Sequence, residues 1–319
     1  MRGLIHAFGI KGDLMTNTAA PIAQLDVKEK HERRRSQSLW SKGLKRLLHD
    51  KLTMTAIIVL MVISLLSLLG PTISDTLNLN VLRSDTEQIL QPIGTSGHPL
   101  GTDQLGRDVL ARVLYGGRIS LIIGFTSSIL IIVIGTLVGM STGYRGGLYD
   151  DIVTWFITTM DSLPQLYLLI AVSAILRPGA EALTLVFALT SWTGAARLIR
   201  GQTVALRGLD YITASKALGA SDTRIIFQHI FPNLISILVI SVSIGVGGVI
   251  LTESALSYLN LGVQPPTPTW GNILADSQTH FRQGPHLLLI PGIAIFITVL
   301  CTYLIGDGLR DAFDPTSID

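Results

Sequence analysis

Six runs of 18 to 25 apolar residues alternate with polar segments along the chain: Leu52 to Leu69, Ile119 to Thr142, Ile152 to Leu176, Ala182 to Ile199, Leu234 to Leu251 and Leu287 to Ile305. Each is close to the roughly 20 residues that a helix needs to cross a hydrocarbon core, and in lipid a helix satisfies its own backbone polar groups. The pattern predicts an all-α fold, a six-span transmembrane helical bundle. Ahead of it, Leu39, Trp40, Gly43, Leu44, Leu47 and Leu48 share one helical face while Lys42, Lys45 and Arg46 take the other. That predicts an N-terminal amphipathic surface helix on an anionic inner leaflet. The basic residues before Leu39 suit a disordered tail; a nucleic-acid-binding arm is the competing reading, and the aliphatic face of the following helix speaks against it.

Composition agrees with a membrane protein: 48% of the 319 residues are hydrophobic, 14% are charged, and the mean hydropathy is +0.51. The distribution of charge sets an orientation. Of 24 Lys and Arg, eleven fall in residues 1 to 51, one in 143 to 151, five in 196 to 233 and one after the last run, against six in the other intervals. Positive residues collect on the cytoplasmic side, so both termini and the 196 to 233 interval are expected there. The implied divisions are a cytoplasmic tail with its surface helix (1 to 51), a first span (52 to 70), an extracytoplasmic loop (71 to 118), a five-span core (119 to 306) and a cytoplasmic C-terminal tail (307 to 319). The first apolar run lies too deep in the chain for a cleaved signal peptide.

Between the fourth and fifth runs lies a long polar insert, 208 to 232. Within it Ala214, Ala217 and Leu218 make a small apolar face, and Gly219 stands where a helix closes in the left-handed region. Ser221 offers an N-cap hydroxyl with Asp222 in the first turn; Ile225, Ile226, His229 and Ile230 continue at helical spacing to Pro232, a first-turn position of the next helix. Spacing alone leaves two readings open, an amphipathic connector on the bilayer and a docking element. The insert resembles the Glu-Ala-Ala loop of ATP-binding-cassette importer permeases, in which Gly follows the triplet after three residues and Pro follows thirteen residues later. Here Thr213, Ala214 and Ser215 stand for the triplet, Gly219 for the glycine and Pro232 for the proline. Thr213 lacks the usual carboxylate, so any ion pair made by that glutamate in relatives cannot form here.

Three further stretches, His98 to Leu121, Leu256 to Leu274 and Gly306 to Pro315, resemble the dipeptide, oligopeptide and nickel permease family, in its C-type subunit. The resemblance implies one permease subunit of a peptide importer in the bacterial inner membrane, working with a second homologous permease, two ATPase subunits, a solute-binding protein outside and the surrounding lipid, and with no nucleic acid and no cofactor. It implies that Tyr211, Thr213, Ala214, Ser215, Ala217, Gly219, Ala220, Asp222 and Pro232 seat the insert on an ATPase. Nickel or a metallophore is the alternative cargo, with His98, His280 and His286 on the outer side. Physically, Gly101, Gly106, Gly116 and Gly117 permit sharp turns, Asp103, Arg107, Asp108 and Arg112 can pair at the membrane surface, Gln264 to Pro268 suits a stiff extended crossing, and Trp270 suits an interfacial anchor.

Inside the membrane, Gly135, Gly139 and Gly143 at four-residue spacing invite close approach of another helix. Asp161 lies midway along the third run, where an ionisable group is often functional, and Pro164 should kink that helix. Asp161 and Gln165 are candidate pathway residues; pairing of Asp161 with Gln165 or with a neighbouring helix is the structural alternative. In an ion-coupled secondary transporter, a reading from another class, Asp161 would be the coupling acid. Glu253 suits a solvated or motif-packed acid, and Cys301 a small, buried apolar residue. No G-x-x-x-x-G-K-[ST] loop occurs, so an ATPase site of that design is not expected in this chain.

Overall fold

The computed structural model describes residues 39 to 313 apart from Asn80, Arg177 and Pro178, with side chains from Gly43 onward. The expected disordered arm before Leu39 lies outside the described residues. Helix α1 (Leu39–His49) is the expected amphipathic element: Leu44 and Leu48 stay exposed one turn apart, as does the basic face of Lys45 and Arg46. Asp50 then caps α2 (Lys51–Leu68), accepting the N–H of Leu52 at 3.1 Å and of Thr53 at 3.3 Å. The Thr53 hydroxyl, more than those two N–H groups, holds the Asp50 carboxyl below its ordinary value. Helix α2 buries Thr53, Ala56 and Ser67 and turns Ile58, Met61, Leu65 and Leu66 outward, as a helix facing lipid would.

After α3 (Gly70–Thr76) comes a looped segment, and then α4 (Val109–Arg145), capped by Asp108, which accepts the N–H of Ala111 at 2.8 Å. Its 37 residues make it about 55 Å long, so it overshoots a hydrocarbon core of about 30 Å at both ends. The third apolar run is not one kinked helix. It breaks into α5 (Gly147–Asp161) and α6 (Gln165–Leu176), bent by 77° at Ser162 to Pro164, because Pro164 cannot continue the backbone ladder. Helices α7 (Ala180–Arg207), α8 (Asp210–Ala217) and α9 (Asp222–Ile225) follow; a wide π turn over Ile226–Ile230 leads into α10 (Phe231–Tyr258) with Pro232 in its first turn. Short α11 (Trp270–Asp276) precedes α12 (His286–Phe313), which passes through Pro291 and continues beyond the expected end at Ile305. Among the described residues, α2, α4, α7, α10 with its leading turns, and α12 are each long and apolar enough to cross a membrane, and α5 with α6 makes a sixth crossing if taken as one.

The most extensive helix pair is α4 with α7. Gly135, Gly139 and Gly143 form the seam as their spacing predicts: a Cβ at Gly135 would lie 2.9 Å from the Ala196 nitrogen, one at Gly139 2.9 Å from the Arg200 nitrogen, and one at Gly143 2.8 Å from the Arg200 oxygen. Backbones approach because nothing stands between them. Gly116 and Gly117, in contrast, form no turn. They lie inside α4 and make room for Thr269 and the Trp270 ring, which a Cβ on Gly117 would meet at 2.7 Å.

Trp270 is therefore no interfacial anchor. It is 1% exposed, its indole N–H donates to the Val113 carbonyl at 2.9 Å, and its backbone N–H donates to Ser120 Oγ at 3.1 Å. Leu121, Val246, Ile250 and Ile295 pack around it. Nor does Gln264 to Pro268 cross in extended form: it folds in turns about a cis Pro265–Pro266 bond, and the Gln264 amide ties it back to the carbonyls of Asn260 (3.2 Å) and Gly262 (3.1 Å). The charged cluster departs from expectation in depth and reach. Asp103 accepts from Arg107 Nε at 2.7 Å and from Arg112, both arginines also reach Asp276, the last residue of α11, and Asp103 and both arginines are buried. Asp108 is instead held by His98 Nδ1 at 2.9 Å. Glu253 is motif-packed at 1% exposure, with one carboxylate oxygen accepting from Ser257 and Thr269 hydroxyls.

Gly139→Leu is expected to destabilise the bundle by about 1–3 kcal/mol or more through overpacking, seen as lost yield of monodisperse protein in detergent and a lowered Tm. Gly248→Ala, where the added Cβ meets nothing within 4 Å, should leave both unchanged.

Candidate functional site

The polar insert forms a helical hairpin at the end of the bundle where α4 finishes. Helix α8 closes at Gly219 with φ +84°; the Gly219 N–H donates to the Lys216 carbonyl at 3.0 Å and the Ala220 N–H to the Ser215 carbonyl at 3.1 Å. This paired closure satisfies two carbonyls that the helix end would otherwise leave open. Ser221 caps α9 as its sequence position predicts, its hydroxyl accepting the Arg224 N–H at 3.4 Å.

Three isoleucines anchor the hairpin. Ile212, Ile225 and Ile230 are at most 2% exposed and pack with Met140 and Tyr144 of α4, Ile199 of α7 and Leu234 of α10. Two polar links reinforce them: the Tyr144 hydroxyl donates to Asp222 Oδ1 at 2.6 Å, and Arg207 Nη1 donates to the Tyr144 carbonyl at 2.8 Å. Sequence reasoning placed Asp222 in a helix's first turn and missed Tyr144, 78 positions away, for which spacing carries no signal. The Tyr211 ring meets His229 edge-on at 6.1 Å.

What the hairpin turns away from the bundle is distinctive. Ala214 and Ala217 are exposed, and Leu218, beside the closing glycine, is 89% exposed. The apolar face read from the sequence thus has no partner within the described chain, and the buried residue of α8 is Ile212 instead. Ala220 and Ser215 are half-buried, Thr213 is exposed, and Pro232 lies at the start of α10. A rigid, anchored element with a small-residue surface and one protruding leucine can serve as a plug for a groove on another protein.

The second set of residues lies at the break between α5 and α6. Asp161 is the last residue of α5, about 21 Å along it, and pairs with Arg197 Nη2 on α7. Its partner is a neighbouring helix and not Gln165, whose amide donates to Ser191 Oγ at 2.5 Å. Below it, Asp150 and Arg200 form a two-pronged pair at 2.5 and 2.6 Å, largely shielded by the bundle. The Asp161–Arg197 pair is far more open, with Arg197 59% and Asp161 31% exposed. A charge turned toward hydrocarbon is costly, by up to about 3 kcal/mol at the bilayer centre.

The chain matches the family described as "Binding-protein-dependent transport system inner membrane component" over residues 131–318, and the "N-terminal TM domain of oligopeptide transport permease C" over residues 38–92. It is 42% identical over 221 residues to a glutathione transport system permease protein of Pectobacterium atrosepticum, covering 69% of this chain and 73% of the relative. It is 34% identical over 284 residues to an oligopeptide transport system permease protein of Bacillus subtilis (88% and 91% covered), and 36% identical over 282 residues to one of Escherichia coli (88% and 92%).

Tyr144→Phe removes the hydroxyl that holds Asp222 while keeping the packed ring. A hydrogen bond to a carboxylate contributes about 1.5 kcal/mol, so amide hydrogen exchange in Asp222–Ile225 should quicken roughly tenfold, with α4 and α7 unchanged.

Proposed function

This chain belongs to the family of binding-protein-dependent transport system inner membrane components, and we propose that it forms half of the translocation path of an ATP-driven importer for dipeptides or oligopeptides. A second homologous permease completes the path, and a solute-binding protein delivers cargo from outside. Peptide cargo is supported by the names of the relatives, which are transport permeases for glutathione, oligopeptides and dipeptides. Both termini and the hairpin lie in the cytoplasm in this reading, in keeping with the excess of Lys and Arg there.

ATP hydrolysis falls to two separate ATPase subunits, and the hairpin carries their motion into the membrane. The observation that supports this most is the contrast within one short element: Ile212, Ile225 and Ile230 lock it to α4, α7 and α10, while Leu218, Ala214 and Ala217 face outward. Tyr211, Thr213, Ser215, Gly219, Ala220, Asp222 and Pro232 shape and orient that outward surface. A push on the hairpin then acts on three spans at once, which suits a rigid-body switch between two packings of the bundle. Asp161 and Gln165, at the α5–α6 break, border the path in this reading.

Leu218→Asp should lower ATP-driven peptide uptake by about tenfold or more by placing a charge in the seat of the hydrophobic plug. Ala217→Cys, made together with Cys301→Ser, should crosslink to an ATPase subunit. Uptake at the unaltered rate by Leu218→Asp, with no ATPase captured from Ala217→Cys, would overturn the assignment.

A further inference from the structure

We propose that Asp161 and Arg197 form a receptor for the two charged ends of a peptide in transit, an inference that rests on the peptide-importer reading above. Two acid–base pairs link α5 to α7, and they are built differently. Asp150 binds Arg200 through both oxygens and also accepts from Thr154, and its side chain is 11% exposed. Both of its oxygens are used for holding the helices together. Arg197 meets Asp161 through one nitrogen and one oxygen. Asp161 Oδ1 and Arg197 Nε and Nη1 are left without a partner among the described residues, at 31% and 59% side-chain exposure.

The face of α7 around this pair is uncovered within the described chain and takes no part in the α4 seam. Gly194 and Gly201 lie one turn to either side of Arg197 on the same face of α7, and a Cβ on either would meet nothing within 4 Å. This is the reverse of Gly135, Gly139 and Gly143, each pressed against α7 backbone. Charges avoid hydrocarbon, so the face carrying Arg197 borders water or polar groups. The Gln165 to Ser191 hydrogen bond adds uncharged polar atoms beside the break.

Every unmodified peptide carries an ammonium and a carboxylate whatever its side chains. A guanidinium presents a planar fork that matches a carboxylate in two parallel hydrogen bonds, and Asp161 offers the complementary acceptor for the ammonium. While the path is empty the two residues neutralise each other. Arriving cargo exchanges that one contact for two without a net change of charge, so neither residue is left bare in a partly dry site. Such a site reads the ends of a peptide and ignores its sequence.

The test uses the assembled importer in proteoliposomes and measures ATP-driven uptake of trialanine, N-acetyl-trialanine and trialanine amide, each at a concentration that saturates the binding protein. The wild type should favour trialanine over each capped form by about tenfold or more, since a site built to bind a polar group rejects the analogue lacking it. Arg197→Ala should abolish the preference over the amide and keep that over the acetylated form; Asp161→Asn should do the reverse. Arg197→Lys, which keeps the charge and loses the fork, should retain part of the preference. Equal uptake of all three compounds by the wild type overturns the proposal, as do unchanged preferences in Arg197→Lys and in variants that still co-purify with the ATPases. If the wild type moves no peptide at all, it is the importer reading that has failed; if it moves peptides without regard to their ends, only the receptor has.

Discussion

Contact between the backbones of α4 and α7 is the constraint on which the bundle depends. Lipid offers no hydrophobic driving force for helix association, so two spans hold together through dispersion at close range, and that requires small residues along the seam. Gly135, Gly139 and Gly143 provide them, against Ala195, Ala196, Ile199, Arg200 and Thr203. With that seam closed, α4 becomes a long strut whose two ends protrude from the apolar layer. One end receives Trp270 through the carbonyl of Val113 and the hydroxyl of Ser120, and the other receives the hairpin through Tyr144. The two assemblies are thus joined by a single continuous helix.

Charge is sorted along this axis by the number of partners it has. At the Trp270 end, the buried Arg107 and Arg112 bridge buried Asp103 to Asp276, which clamps the first long loop onto the second. Burying charge is costly unless geometry and further hydrogen bonds compensate, and here each ionic group has more than one bond. Asp150 and Arg200 follow the same logic on the other side of the bundle. Asp161 and Arg197 do not, and their single contact sits where α5 and α6 part at Pro164.

The hairpin was largely legible in the sequence because its rules are local. Left-handed closure at Gly219, the Ser221 cap and Pro232 at the start of a helix each involve residues within a few positions of one another, so spacing exposes them. Its attachment was not legible. Tyr144 and Asp222, or Ile212 and Ile199, meet because separate helices converge, and no period along the chain encodes that. The two loop motifs show the same divide: their residues stand out and suggest a membrane surface for Trp270 and the Asp103 cluster, but the fold buries both.

The sequence by itself determined how many apolar crossings the chain can make, that Ser221 caps a helix in the insert, and that Gly135, Gly139 and Gly143 would be pressed against another helix, since these depend on composition and on spacings of three or four residues. The tertiary structure decided which face of each helix is covered. That choice made an apparent interfacial tryptophan into a core residue, turned Ala214, Ala217 and Leu218 outward, gave Asp161 an arginine instead of Gln165, and broke the third crossing in two. Burial is a property of what packs alongside, and a single chain read in order carries no record of its neighbours.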